Sequence, residues 1–305
     1  VTAVAAVVQL GGLALAPLLP GTIQALKARL QGRRGPSPLQ PYRDIRKLWS
    51  KSSVNPAQAG LAYRLAPAII ASATAIALLL LPIAGRAPQW GLGNDPLVLV
   101  GLLALGRFAL AASSWDTGSG FSLMGAGRDL TIAVFAEGLL VLAILLAALP
   151  AASTDLVSVA AAANGGAIWG EPAHWCGLAV FALVVLAETG RQPIDNPDTH
   201  LELTMIHEGP LLEYAGRDLA LLHWSAAARH WIFLVLAAAL FAPHWGGFWA
   251  QLACLGVTLP LLCLALALTE TAQAKMRILR APALLAGGCL LALIGVTSWL
   301  AGGSL

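Results

Sequence analysis

The sequence predicts an all-α polytopic membrane protein with eight transmembrane helices. Of its 305 residues 58% are hydrophobic and 11% charged, less than half the charge of a soluble globular chain, about 25%. Uncharged apolar stretches of about 20 residues recur along it, the length a helix needs to cross a hydrocarbon core. The mean hydropathy of +0.77 agrees. A soluble enzyme, a nucleic-acid reader and a disulfide-stapled secreted domain are thereby excluded. Residues 1–305 read as a single integral membrane domain.

In chain order the expected spans are 2–20, 65–84, 96–113, 130–150, 173–189, 229–243, 249–269 and 282–301. The first has no basic segment ahead of its apolar run, so it reads as a span and not as a signal peptide. Of the 18 Lys and Arg, 16 fall in or at the edge of the connections after spans 1, 3, 5 and 7, counting Arg229 at the start of span 6. The positive-inside rule puts those connections in the cytoplasm and both termini outside. Cys176, Cys254, Cys263 and Cys289 each lie in an apolar run, and no CxxC pair exists. They read as buried small hydrophobes. The chain cannot by itself ligate an iron–sulfur cluster or a nickel–iron centre, because both need grouped thiolates.

Two cytoplasmic connections exceed what a turn requires. The first, 27–64, is basic and carries Pro36, Pro38 and Pro41, which impose an extended path because each restricts its predecessor. Beyond them Tyr42, Ile45, Leu48 and Trp49 recur at helical spacing among Arg43, Asp44, Arg46 and Lys47, a short amphipathic helix. Such a segment can lie on anionic lipid. The stiff proline-rich lead-in favours a docking platform for a soluble partner, with Arg33, Arg34, Pro36, Gln40, Pro41, Asp44 and Lys47 as its residues. The second connection, 190–228, is acidic and holds Asp195, Asp198, Glu202, Glu208, Glu213 and Asp218 among apolar residues. Gly209-Pro210 should split it into two pieces. Half-buried acids there are expected to have raised pKa values and to carry protons.

Arg107, Glu137, Glu188 and Glu270 lie inside or at the rim of the spans. A charge at a helix centre costs about 2.5–3.5 kcal/mol on insertion scales, so such residues face the bundle interior, for structural pairing or for function. Arg107 and Glu137 should both sit roughly 10 Å deep, at 1.5 Å per residue, and form an ion pair. With the acidic loop, Glu188 and Glu270 make a file of carboxylates that reads as a proton path. There is no Walker A sequence, no HExxH and no GxSxG; His200 and His207 lack a third clear metal ligand.

The run from Gln31 to Pro41 with Asp44 and Lys47-Leu48 resembles the first cytoplasmic loop of the complex I subunit 1 family. So do Arg128 with Glu137, and Glu188-Thr189-Gly190-Arg191-Gln192-Pro193-Ile194-Asp195 with Glu202 and Glu213-Tyr214. The resemblance implies that family's eight-helix fold. The segment from Asn196 to Glu208 and the tract Glu270 to Arg277 depart from the quinone-reducing branch. They are similar to the membrane anchors of group 4 energy-converting nickel–iron hydrogenases, of the formate hydrogenlyase and hydrogenase-4 type. Pro20-Gly21-Thr22 stands where complex I relatives carry an acidic residue.

The resemblance implies a subunit of the prokaryotic cytoplasmic membrane that is not catalytic alone. A [NiFe]-hydrogenase large subunit, a small subunit and a further iron–sulfur subunit would hold the metal centres, with no cofactor in this chain. Glu137, Glu188, Asp195, Asp198, Glu202, Glu208, Glu213 and Glu270 would relay the redox signal to antiporter-like subunits, with Arg107, Arg128 and Arg191 as charge partners. Two alternatives stay open. A quinone-reducing subunit would line a lipid-accessible cavity with Arg33, Arg34 and the end of the first span. A free-standing ion transporter would show internal repeats, and none is evident.

Overall fold

The computed structural model describes residues 2–87, 90, 93–163, 166–196, 205–243 and 246–302. Apart from one isolated bridge, Ile83 to Arg86, their regular structure is helical. Asp198, His200 and Glu202 lie outside the described residues.

The first expected span is instead two helices, α1 (Thr2–Leu15) and α2 (Leu18–Leu30), bent by 56°. Pro17 at the break has no N–H to give, and α2 runs past the expected boundary through Lys27 and Arg29. The proline-rich stretch then leads into α3 (Gln40–Trp49), opened by Pro41 in its first turn, where a missing N–H costs nothing. Tyr42, Ile45 and Leu48 are half-buried while Arg43, Asp44, Arg46 and Lys47 are exposed. This is the amphipathic pattern expected, except that Trp49 is exposed, and the helix packs against α2 and α9 (Gly216–Phe241). The Tyr42 hydroxyl donates to the Ala14 carbonyl at 2.6 Å.

The hairpin of α4 (Leu61–Leu79) and α5 (Pro96–Thr117) is the most extensive helix pairing. Asp95 caps α5 by accepting from the Leu97 N–H at 2.8 Å, and Gly118 closes it at φ 66°, in the left-handed region. α6 (Gly120–Ala148) starts at once, ten residues before the expected span, and so takes Arg128 and Asp129 into a helix. After α7 (Leu156–Ala162) come α8 (Pro172–Glu188), α9, α10 (Phe248–Ala272) and α11 (Ala281–Gly302). α9 begins at Gly216, so the acidic connection is shorter than 190–228.

Among the described residues six helices are long and apolar enough to cross a membrane, and the bent α1–α2 pair, taken as one span, makes seven. α8, at 17 residues, is apolar but shorter than these six. The structure therefore supports six to seven spans where eight were expected. α9 is the central post, buried almost all round, whereas most residues of α10 and α11 are half-buried or exposed.

The long connections meet at one end of the bundle. Met276 N–H donates to the Pro193 carbonyl at 2.9 Å, and the Tyr63 hydroxyl to the Glu213 carbonyl at 2.6 Å. At the other end Leu156 N–H donates to the Asn94 carbonyl at 3.3 Å.

Candidate functional site

Beneath the loop-rich end lies a network of buried charges centred on Arg107 of α5, which is 4% exposed. Its guanidinium grips Glu188 of α8 with two bonds of 3.0 Å each. It also reaches Glu137 at 3.0 Å and Asp129 at 3.3 Å, both on α6. Arg229 of α9 approaches Glu188 from another side at 3.6 Å. The Arg107–Glu137 pair expected from the sequence is present, but Glu188 is the bidentate partner. The equal depths do not hold: by the helix ends, Arg107 precedes the end of α5 by ten residues and Glu137 follows the start of α6 by seventeen.

A second group forms where α8 ends. Gly190, at φ 61°, lets the chain turn, with Gly190 N–H bonded to the Ala187 carbonyl at 3.4 Å and Arg191 N–H to Leu186 at 2.9 Å. This Schellman turn satisfies the helix's last carbonyls and aims Arg191 inward. Arg191 meets Glu270 of α10 at 2.8 Å and His230 of α9 at 3.0 Å. Lys27 of α2 holds the other Glu270 oxygen at 3.2 Å.

Asp195 joins the loop to both groups. Its carboxylate takes Lys275 at 2.8 Å and His207 Nδ1 at 3.2 Å, and the His207 N–H also donates to it at 3.3 Å. The His207 Nε2 faces Asp129 at 3.5 Å. Burial opposes ionisation of Asp195, yet the bonds and charges of His207 and Lys275 hold its carboxyl well below the usual carboxylate range. The raised value expected for the loop acids is thus wrong for Asp195, because the loop brings two cationic partners to it. Burial lowers His207, but Asp195 and Asp129 more than compensate and its pKa is raised. In all, Asp129, Glu137, Glu188, Asp195 and Glu270 face Lys27, Arg107, Arg191, Arg229 and Lys275. With both imidazoles neutral, these five acids and five bases leave no net charge.

Two cavities flank the network. One of about 130 Å³ is lined by Arg107, Asp129, Glu188, Arg229 and residues of α4 and α9. The other, about 170 Å³, lies on the loop side against Gln24, Arg191, Asp195 and Glu208. His207 and His230 border both. Neither cavity is lined by Arg33 or Arg34, the residues that a quinone site was expected to use.

Of the other expected site residues, Arg128 donates to the Met205 carbonyl at 3.2 Å and so ties the loop to α6. Glu213 ends a 3-10 turn, Gly209–Glu213, and its carbonyl serves Tyr63. Arg33, Arg34, Pro36, Asp44 and Lys47 are exposed, and Gln40 and Pro41 are half-buried. Gln40 donates to Asp44 at 2.8 Å. The sequence reading missed Asp129, Arg229, His230, Lys27 and Lys275. Asp129 was legible in principle, since it stands eight residues before Glu137 and thus near the same helix face. His207, which the sequence marks as a histidine without a third metal ligand, is instead held between two carboxylates; among the described residues no group of three or more His, Cys, Asp or Glu is placed to hold a metal.

The family described as NADH dehydrogenase matches residues 2–300. The chain belongs to that family. Among its members, hydrogenase-4 component C of Escherichia coli K12 is 36% identical over 249 residues, 80% of this chain and 76% of that protein. Formate hydrogenlyase subunit 4 of the same organism is 33% identical over 276 residues, 87% of this chain and 88% of that protein. An NADH-quinone oxidoreductase membrane protein of Cereibacter sphaeroides is 31% identical over 228 residues, 72% of this chain and 69% of that protein. A chain in the structure of the archaeal membrane-bound sulfane sulfur reductase, a respiratory membrane complex, shares the fold. Its TM-score is 0.83 at 21% identity, over 96% of this chain and 98% of that one. The NADH dehydrogenase family thus places this chain among the membrane subunits of energy-converting complexes, as a multi-pass membrane protein.

Proposed function

We propose that this chain anchors a soluble [NiFe]-hydrogenase arm and passes redox-driven changes of protonation or conformation to ion-translocating membrane subunits. The observation that carries the reading is the series of buried and half-buried acids and bases, each within 3.5 Å of the next, from Asp195 at the loop through His207, Asp129 and Arg107 to Glu137 within α6. Groups this close in a low-dielectric interior cannot change charge independently, so a proton or a movement at the loop alters the energy of every member. The likeness to hydrogenase-4 component C and formate hydrogenlyase subunit 4 supports the hydrogenase assignment.

The exposed basic stretch around Arg33 and Arg34, with α3 behind it, would receive the arm. The arm's large subunit would hold nickel and iron, and its small subunit and a further subunit the iron–sulfur clusters. The four cysteines here are free and spread over α8, α10 and α11. With the basic connections in the cytoplasm of a prokaryote, both termini and the end near Asn94 face outward. α8 then completes an eighth, short crossing.

Glu188→Gln tests the relay. Gln keeps the shape and accepts a hydrogen bond from Arg107, but cannot exchange a proton. In vesicles carrying the assembled complex, ion translocation per hydrogen turned over should fall by roughly tenfold or more while the arm stays membrane-bound. Full translocation in that variant would defeat the reading.

A further inference from the structure

His207 has an environment that packing alone does not explain. Its ring lies between carboxylates on two different elements, Asp195 of the loop at Nδ1 and Asp129 of α6 at Nε2. Asp129 Oδ1 and His207 Nε2 are buried, face each other at 3.5 Å, and make no hydrogen bond among the described residues. The ring also borders both cavities, one on the loop side and one against Arg107 and Glu188. Room for it is made by Gly190: a Cβ there would stand 2.9 Å from His207 Nδ1 and 3.1 Å from its Cγ. The same glycine takes φ 61°, so a side chain is excluded twice over.

We propose that His207 is the proton-transfer residue joining the two cavities. It deepens the relay reading above and rests on it. Imidazole is the one side chain that can accept a proton at one nitrogen while releasing another at the second. A proton arriving from the Asp195 side at Nδ1 makes the imidazolium. The Nε2 proton then leaves across the 3.5 Å gap toward Asp129, and the neutral ring remains as the other tautomer. Protons balance and no electron moves. The groups that set the ring's charge are Asp195 and Lys275 on one side, Asp129 and Arg107 on the other, and His230 from α9. The first two acids together raise its pKa, which favours the imidazolium as a populated intermediate.

The test uses inverted vesicles bearing the whole complex, with a pH-sensitive dye reporting protons moved per hydrogen turned over. His207→Gln should lower that ratio by roughly tenfold or more, with the arm still bound to the membrane. His207→Ala should do the same and regain part of the ratio when free imidazole is added, which a packing role would not allow. Unchanged translocation in His207→Gln, no response of His207→Ala to imidazole, or loss of the arm from the membrane in both variants would each overturn the proposal. Glu188→Gln in the same vesicles separates the two ideas. If it also translocates fully, the relay reading has failed; if only the His207 variants do, the failure belongs to His207.

Discussion

At the scale of the residue, what matters about Arg107 is how many acids depend on it. It faces Glu188, Glu137 and Asp129, so Arg107→Met takes a cation from three carboxylates at once and leaves only Arg229 beside Glu188, at 3.6 Å. Removing one side of a buried pair costs about 3–5 kcal/mol because the remaining charge is uncompensated. Arg107→Met should therefore assemble poorly. The double variant with Glu188→Gln should recover more protein in the membrane than the double with Glu137→Gln, because Glu188 makes the bidentate contact and is the more buried acid. Equal recovery, by quantified membrane content, would show that the three acids share the cation evenly.

The Asp195–His207 contact carries a pH dependence of known sign. Asp195 is depressed from 3.8, so its contribution is complete above that value and is lost as pH falls through the depressed one. His207 is raised from 6.5, so its contribution is complete below 6.5 and is lost as pH rises through the raised value. Both are in full force between pH 3.8 and 6.5. Amide protection in the 205–215 peptide, taken relative to the intrinsic exchange rate at each pH, should be greatest in that window and fall on either side. A flat profile would show that the contact does not hold the loop.

At the scale of the element, the loop is locked to α6 through glycine. A Cβ on Gly125 would stand 2.8 Å from the Gly209 Cα and 2.8 Å from the Pro210 ring, with backbone on the facing side that cannot swing away. Gly125→Ala should destabilise the protein by about 1–3 kcal/mol, the usual cost of overpacking. The lowered melting temperature of the purified complex is the measurement. Gly127→Ala, two residues on and with nothing within 4 Å of its Cβ, should not lower it, since in a helix interior Ala is favoured over Gly by about 0.5–1 kcal/mol. α3 was legible because period and proline placement agreed. The bend between α1 and α2 was not, since apolar residues continue through it and only Pro17 marks the break.

At the scale of the whole molecule, the basic connection and the charge network share one end of the bundle. An arm seated there would face the end of the bundle that carries Asp195 and Lys275. Charge reversal at Arg33 and Arg34 together should release the arm to the soluble fraction, since both side chains are exposed and bear on no buried cluster. Retention of the arm in the membrane would instead favour contact of that stretch with anionic lipid. The chain purified by itself should evolve no hydrogen, and turnover by it alone would contradict the assignment of the metal centres to partners.

Periodicity, hydropathy and charge were enough to read a helical membrane protein, the amphipathic α3, the basic and acidic connections and, among the buried ionisable residues, Arg107, Glu188, Asp195 and Glu270. Those signals are local, set by 3.6-residue spacing and by the cost of charge in hydrocarbon. The partners of each charge were decided only by the tertiary structure. Arg107 and Glu188 are 81 residues apart, Arg191 and Glu270 79, Lys275 and Asp195 80. No spacing rule spans such distances. Which acid meets which base depends on how α5, α6, α8, α9 and α10 pack around one interior, and the depressed carboxyl of Asp195 follows from that packing and not from its neighbours in sequence.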